Sequence, residues 1–231
     1  MSIKTILISP VDGKIYDYFK DSFCVLKSDY DKELVSYERY HADMQALNIK
    51  GKLFVNSNCK AVVNTLDKLN IAYTLCEDIG NKYPDNVALN AALVGNRLLC
   101  KEKALHPRVK EYCNINNIKV LNVNQGYTKC STLILNENAI ITDDESIEKV
   151  SLINNINVLK ISKGDIFLDS ETVGFIGGAS AVIDDIVYFF GDITSHRDGV
   201  KIIEFLSLYN LNYKCVIPGR LLDIGGIVHI R

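Results

Sequence analysis

His41 and Asp43, in the segment YHADMQ, set an imidazole and a carboxylate two residues apart. Read as the start of a strand, that spacing sends both side chains to one face, where they can act on the same group. The plainer reading of the pair is a histidine bonded to a neighbouring carboxylate with no further role. Cys130, in GYTKCST, adds a nucleophile, and the positive charge of adjacent Lys129 favours thiolate over thiol. Strict alternation in register with the other repeats sets Lys129 opposite Asp43 and Cys130 opposite Met44, which turns the thiol away from His41 unless a bulge intervenes. A core role for Cys130 therefore stands beside the nucleophilic one.

Other candidates follow from position. The pairs Gly177–Gly178 and Gly225–Gly226 open equivalent strands, where missing side chains admit a ligand or another backbone, or simply suit strand entry. Asp223 precedes the second pair, Glu38 and Arg39 precede His41, and all three are placed toward a central channel together with Lys129 and His229. In GDITSHRDG, near Asp192, Ser195 or His196 is placed to cap the following helix. Cys24, Cys76 and Cys215 fall in predicted strands and Cys59 and Cys113 in predicted helices, where core packing is the expected role, while Cys100 ends a hairpin.

These residues need a scaffold, and internal repetition describes it. Four segments, MQALNIKGKLFV, LNAALVGNRLLC, CSTLILNENAIIT and ASAVIDDIVYFF, each read as two apolar strands around a tight polar turn. A helical pattern follows each, in NCKAVVNTLDKLNI, HPRVKEYCNINNI, DESIEKVSLINNI and HRDGVKIIEFLSLYNL, and then a short third strand. Pro107 in a first turn, and Asp144 with Glu145 at the positive end of a helix dipole, are start signals. Leu47, Leu93, Leu133 and Val182 recur at spacings of 46, 40 and 49 residues. The chain of 231 residues thus holds about five ββαβ units, near 36–76, 84–123, 126–162 and 173–218, with a fifth split between 221–231 and 1–28. IGGIVHIR supplies the first strand of the split unit and IKTILISP its second, so the two ends of the chain pair. The expected fold is α/β, a closed five-unit ββαβ propeller in one domain with pseudo-fivefold symmetry, and closure removes the outer edges of an open array. The competing arrangement is an open α/β sheet with four hairpins.

Composition limits the function. A net charge of −2, with no run of like charges, lacks the footprint of a nucleic-acid or anionic-lipid binder. A small-molecule partner is expected instead. No apolar stretch has the length of a membrane span and the start of the sequence lacks a cleavable signal, which predicts a cytoplasmic protein. The seven cysteines form no C-x-x-C pairs and no phosphate-binding glycine loop is present, so neither a metal nor a cofactor is predicted.

A ring of five ββαβ units whose termini share one unit resembles the pentein fold, the α/β-propeller of guanidino-group-modifying enzymes. YHADMQ, GYTKCST, ITDDES, GFIGGAS, GDITSH and LLDIGGI further resemble the signature segments of an uncharacterised bacterial family assigned to that fold and common in clostridia. The resemblance covers the whole chain. It implies a thiolate that attacks the guanidino carbon, a histidine from an H-x-D motif that passes protons to the leaving amine, and carboxylates that hold the planar cation. His41 and Asp43 match H-x-D. The thiol expected after the glycines of the split unit is missing, because DIGGIVHIR offers Val228, His229 and Ile230 there. Two functions follow: a hydrolase or transferase acting on a guanidino, ureido or amide compound with Cys130 as substitute nucleophile, or a non-catalytic binding or scaffold protein. Convergence of His41, Asp43 and a nucleophile on one pocket distinguishes them.

Overall fold

The computed structural model describes residues 3–169 and 172–231, so Met1 and Ser2 of the predicted split unit lie outside the described residues. Alternating apolar runs become strands where tight turns divide them. At the first such turn Lys50 and Gly51 hold φ of 51° and 87°, the primed-turn geometry whose twist matches that of the flanking strands.

The chain begins with β1 (Thr5–Ile8), α1 (Gly13–Lys20) and β2 (Cys24–Lys27). After a long irregular segment come α2 (Ala42–Gln45), β3 (Ala46–Ile49), β4 (Lys52–Asn56), α3 (Lys60–Lys68) and β5 (Thr74–Cys76). Next are β6 (Ala92–Val94), β7 (Arg97–Cys100), α4 (Pro107–Ile115) and β8 (Lys119–Asn122). A further set comprises β9 (Thr132–Asn136), β10 (Ala139–Thr142), α5 (Glu145–Ile153) and β11 (Asn157–Lys160). The short β12 (Ile166–Phe167) precedes β13 (Ser180–Ile183), β14 (Ile186–Phe189), α6 (Gly199–Ser207) and β15 (Asn212–Cys215). Last are β16 (Leu221–Leu222) and β17 (Ile227–His229).

Among the described residues these strands make five three-stranded sheets and one two-stranded sheet, β12 beside β16. In each three-stranded sheet the central strand pairs antiparallel with one neighbour and parallel with the other, a helix forming the parallel crossover. The sheet of the two chain ends obeys the same rule: β17 runs antiparallel to β1, with Leu7 opposite Val228, and β1 runs parallel to β2. The pairing of the termini read from the repeat spacing is therefore present.

Helices bury one face each, through Ile15 and Phe19 of α1, Val62 and Leu66 of α3, and Ile202 and Leu206 of α6. Polar groups of the hairpins link successive sheets. Asn48 donates to the His229 carbonyl (2.9 Å), Lys50 to Asn96 Oδ1 (2.8 Å), Arg97 to the Glu137 carbonyl (2.6 Å), and His229 Nε2 meets the Val182 carbonyl (2.9 Å). Phe19 packs edge-on against Tyr188, with centroids 5.2 Å apart, joining the sheet of the termini to that of β13–β15.

Three sequence expectations change. His41 and Asp43 are not on a strand: His41 is the extended residue before α2 and Asp43 lies in its first turn. Neither Ser195 nor His196 caps α6. Asp198 holds that position and spends its carboxylate on the Ser162 N–H (2.7 Å), while His196 Nδ1 accepts from the Asp198 N–H (3.0 Å). Cys215 is exposed, on β15, whose four residues all face solvent, and Cys24 is half-buried against the core; Cys59, Cys76, Cys100 and Cys113 are buried. No helix among the described residues is long and apolar enough to cross a membrane.

Candidate active site

Cys130 sits in the turn that precedes β9, not in the strand itself. Strand alternation therefore does not govern its side chain, and the reading that turned the thiol away from His41 is overturned. The Cys130 Sγ donates to Asp43 Oδ2 at 2.8 Å, and ligand atoms of His41, Asp43 and Cys130 all lie within 4.8 Å of one another. Each of the three is at most 5% exposed.

Asn90 holds this turn. Its Oδ1 accepts from the backbone N–H of Lys129 (2.8 Å) and of Cys130 (3.3 Å), and its Nδ2 lies 3.3 Å from Cys130 Sγ. One buried amide thus fixes the backbone and offers the sulfur a donor, which would stabilise a thiolate. Sequence reasoning missed Asn90, because a polar residue in an irregular segment belongs to no periodic pattern.

Asp223 is the second buried carboxylate. Backbone N–H groups of Phe175 (2.8 Å) and Gly225 (3.0 Å) hold it, and its Oδ1 lies 4.0 Å from His41 Nε2. The glycine pairs explain how it reaches this place. A β-carbon on Gly178 would overlap the Asp223 carboxylate, and one on Gly177 would overlap carbonyls of the Cys130 turn, so here missing side chains admit protein and not ligand. Gly225 has φ +78°, and a β-carbon there would stand 2.5 Å from the His41 β-carbon. Gly225→Ala is therefore expected to lower stability by about 1–2 kcal/mol for the left-handed backbone alone, with more for the contact. A thermal melt checks this, and a melting temperature equal to wild type would contradict it. Gly226, at φ +63°, backs onto the Gly177 carbonyl.

Glu38 is the third buried carboxylate, with Asn86 Nδ2 donating to its Oε2 at 3.1 Å. Glu38, His41, Cys130 and Asp223 line one cavity of about 150 Å³, with Tyr127 and Phe175 among its walls. The rings of Tyr83, Tyr127 and Phe175 stack in a row, at 5.8 Å and then 6.4 Å between centroids. Asn86, Tyr127 and Phe175 were also missed by sequence reasoning. On its other side the cluster meets a second cavity of about 210 Å³, lined by Asp43, Lys129, His229 and apolar residues. His229 and Lys129 thus reach the opposite mouth and share no cavity with His41. Arg39 reaches neither, since its guanidinium bonds the Leu34 carbonyl (3.0 Å) and the Tyr30 hydroxyl (3.0 Å).

Burial pushes the Asp43 carboxyl up to about 6, against the opposing charges of His41 and Lys129 and the thiol hydrogen bond. Burial likewise raises Glu38, opposed by hydrogen bonds from Tyr127 and Asn86. The Cys130 thiol moves in the direction opposite to the sequence expectation. Burial first, then the negative charges of Asp43 and Asp223, hold it well above the ordinary range, against the hydrogen bond from Asn90. The site thus sets a thiol whose pKa is raised beside the buried carboxyl groups of Glu38, Asp43 and Asp223.

The architecture is the pentein fold, shared with solved structures of low sequence identity. DDAH from Pseudomonas aeruginosa, a cysteine-to-serine mutant complexed with citrulline, matches with a TM-score of 0.57 and 10% identity over 99% of this chain and 100% of that one. C. jejuni agmatine deiminase matches with 0.55 and 12% over 94% and 87%, and a putative peptidyl-arginine deiminase with 0.52 and 12% over 96% and 91%. The chain belongs to the family described as "Family of unknown function (DUF6873)", matched over residues 11–228. No curated protein matches the sequence.

Proposed function

We propose that this protein is a hydrolase or transferase acting on a small guanidino, ureido or amide compound, the cationic guanidino class fitting best, with Cys130 as nucleophile, and that its five ββαβ units, 36–76, 84–123, 126–162, 173–218 and 221–231 with 1–28, close into a ring around the site. The pairing of β17 with β1 and the polar links between successive hairpins support closure. The observation that carries the function is the convergence of Cys130, Asp43 and His41 beside a cavity walled by Glu38 and Asp223. A cavity of about 150 Å³ lies below the roughly 300 Å³ at which drug-sized ligands begin to fit, so it takes a compact head group.

In this reading the planar cation sits against Glu38 and Asp223 through paired hydrogen bonds, between aromatic walls that exclude water. The Cys130 proton passes to Asp43, its hydrogen-bond acceptor, and sulfur bonds to the central carbon. His41 supplies the proton on which the amine departs, and water then cleaves the carbon–sulfur bond in a hydrolase, or an acceptor amine does so in a transferase. Asn90 donates to the developing thiolate.

The test uses two electrophiles of one shape, cationic chloroacetamidine and neutral chloroacetamide. Chloroacetamidine is expected to alkylate Cys130 at least about tenfold faster, because only the amidinium gains from the carboxylates, and Glu38→Gln with Asp223→Asn should erase that preference. Peptide mapping reads the result. Equal rates with both reagents, or labelling at the accessible Cys215 alone, would favour the non-catalytic alternative.

A further inference from the structure

We propose that His41, Asp43 and Cys130 form a binding site for one thiophilic divalent cation of the Zn²⁺ class, with its open coordination position toward the cavity of Glu38 and Asp223. This rests on geometry and does not require the hydrolytic reading.

Three donors of suitable type, an imidazole nitrogen, a carboxylate oxygen and a sulfur, lie within 4.8 Å of one another and are buried together. A tetrahedral centre with bonds of about 2.0–2.3 Å needs donor separations of about 3.3–3.8 Å, so closing the cluster takes side-chain shifts of about 1 Å. Sulfur and imidazole favour Zn²⁺ or Co²⁺ over Mg²⁺ or Ca²⁺, which take oxygen.

Two further observations point to a ligand. Asp43 is 2% exposed, yet its Oδ1 has no hydrogen-bond partner, an expensive state that a cation relieves. Among the described residues, Glu38, Asp43 and Asp223 share no ion pair with any lysine or arginine; the one contact is His41 with Asp223. The surroundings also suit a metal. Asn90 Nδ2 is 3.3 Å from the sulfur, and Asp223 Oδ1, 4.0 Å from His41 Nε2, is a carboxylate of the kind that orients a ligating imidazole. Binding breaks the S–H bond, releases that proton to solvent, forms the metal–sulfur bond and frees Asp43 from the thiol to take the metal.

The test is Co²⁺ titration of the chelator-washed full chain in a Cys24→Ser, Cys215→Ser background, which removes the two cysteines that are not buried. One equivalent is expected to raise a sulfur-to-cobalt charge-transfer band and tetrahedral visible bands, and Zn²⁺ should bleach them. Cys130→Ser should remove the charge-transfer band, and Asp43→Asn should weaken binding by more than the roughly 10- to 100-fold that loss of an outer partner costs. Asn90→Ala should fall within that range. Circular dichroism establishes that each variant is folded. Absence of the band at millimolar Co²⁺, or a band that survives Cys130→Ser, overturns the proposal. Failure of chloroacetamidine to label Cys130 refutes the hydrolytic reading and leaves this one standing.

Discussion

Asp43→Asn is expected to raise the melting temperature at pH 8 by several degrees while slowing adduct formation at Cys130 by roughly 10²- to 10⁴-fold, the span that a positioned proton acceptor contributes. Both effects come from one buried charge. Asp43 accepts the Cys130 proton at 2.8 Å, and an asparagine oxygen can receive that hydrogen bond but cannot take the proton. The stability gain follows from linkage. Burial raises the Asp43 carboxyl from 3.8 to about 6, a gap of about 2 units and so on the order of 3 kcal/mol. Because the folded value lies above the unfolded one, the protonated carboxyl stabilises the fold below about pH 4, and that contribution is lost as pH rises through about 6. The gap between variant and wild type should therefore be near zero at pH 4 and widest above pH 7. At about 2–4 °C per kcal/mol for a chain of this size, thermal melts with chelator present resolve it. A gap that does not change with pH, or a variant less stable at pH 8, would show that the carboxylate is not held against a desolvation cost. Such opposition between stability and chemistry is common at reactive sites.

The second large effect concerns the pairing of the two chain ends. Deleting residues 227–231 removes β17 and with it the buried side chains of Ile227, Val228 and Ile230. At about 1.5–3 kcal/mol each the loss is roughly 5–9 kcal/mol, comparable to the whole stability of an ordinary domain. β1 would also lose its antiparallel partner and present a bare edge. The truncated chain is expected to melt without a cooperative transition, or more than about 10 °C below wild type, and to aggregate. Arg231→Ala, which removes an exposed side chain but keeps the backbone hydrogen bond from the Thr5 N–H to the residue 231 carbonyl (2.8 Å), is the control and should cost little. A five-residue deletion that melts within a few degrees of wild type would mean that β17 is a dispensable tail.

Much of the scaffold is local and was therefore legible in the order of residues. Period-two runs around tight polar turns, helical runs with start signals at Pro107 and Asp144, and the recurrence of both at a near-constant interval follow from neighbours along the chain. The interval even implied that Ile227–His229 joins Thr5–Ile8, since a unit left incomplete at each end has an unpaired edge. His41 and Asp43 could be singled out by spacing, and Asp223 and Glu38 by position beside them.

What decides the chemistry was not local. Cys130 faces His41 because Asn90, 40 residues earlier in sequence, holds its turn before β9 begins, and strand alternation has no authority over a turn. Burial first, and then the charges of Asp43 and Asp223, far from it in sequence, push the thiol pKa up, whereas adjacent Lys129 opens onto the opposite cavity. Sequence proximity to a lysine suggested the reverse. Electrostatic shifts depend on burial and on distance through space, and both are set when separate units pack together. Order along the chain determined the repeating unit; tertiary contact alone determined which carboxylates, amide and rings surround the sulfur.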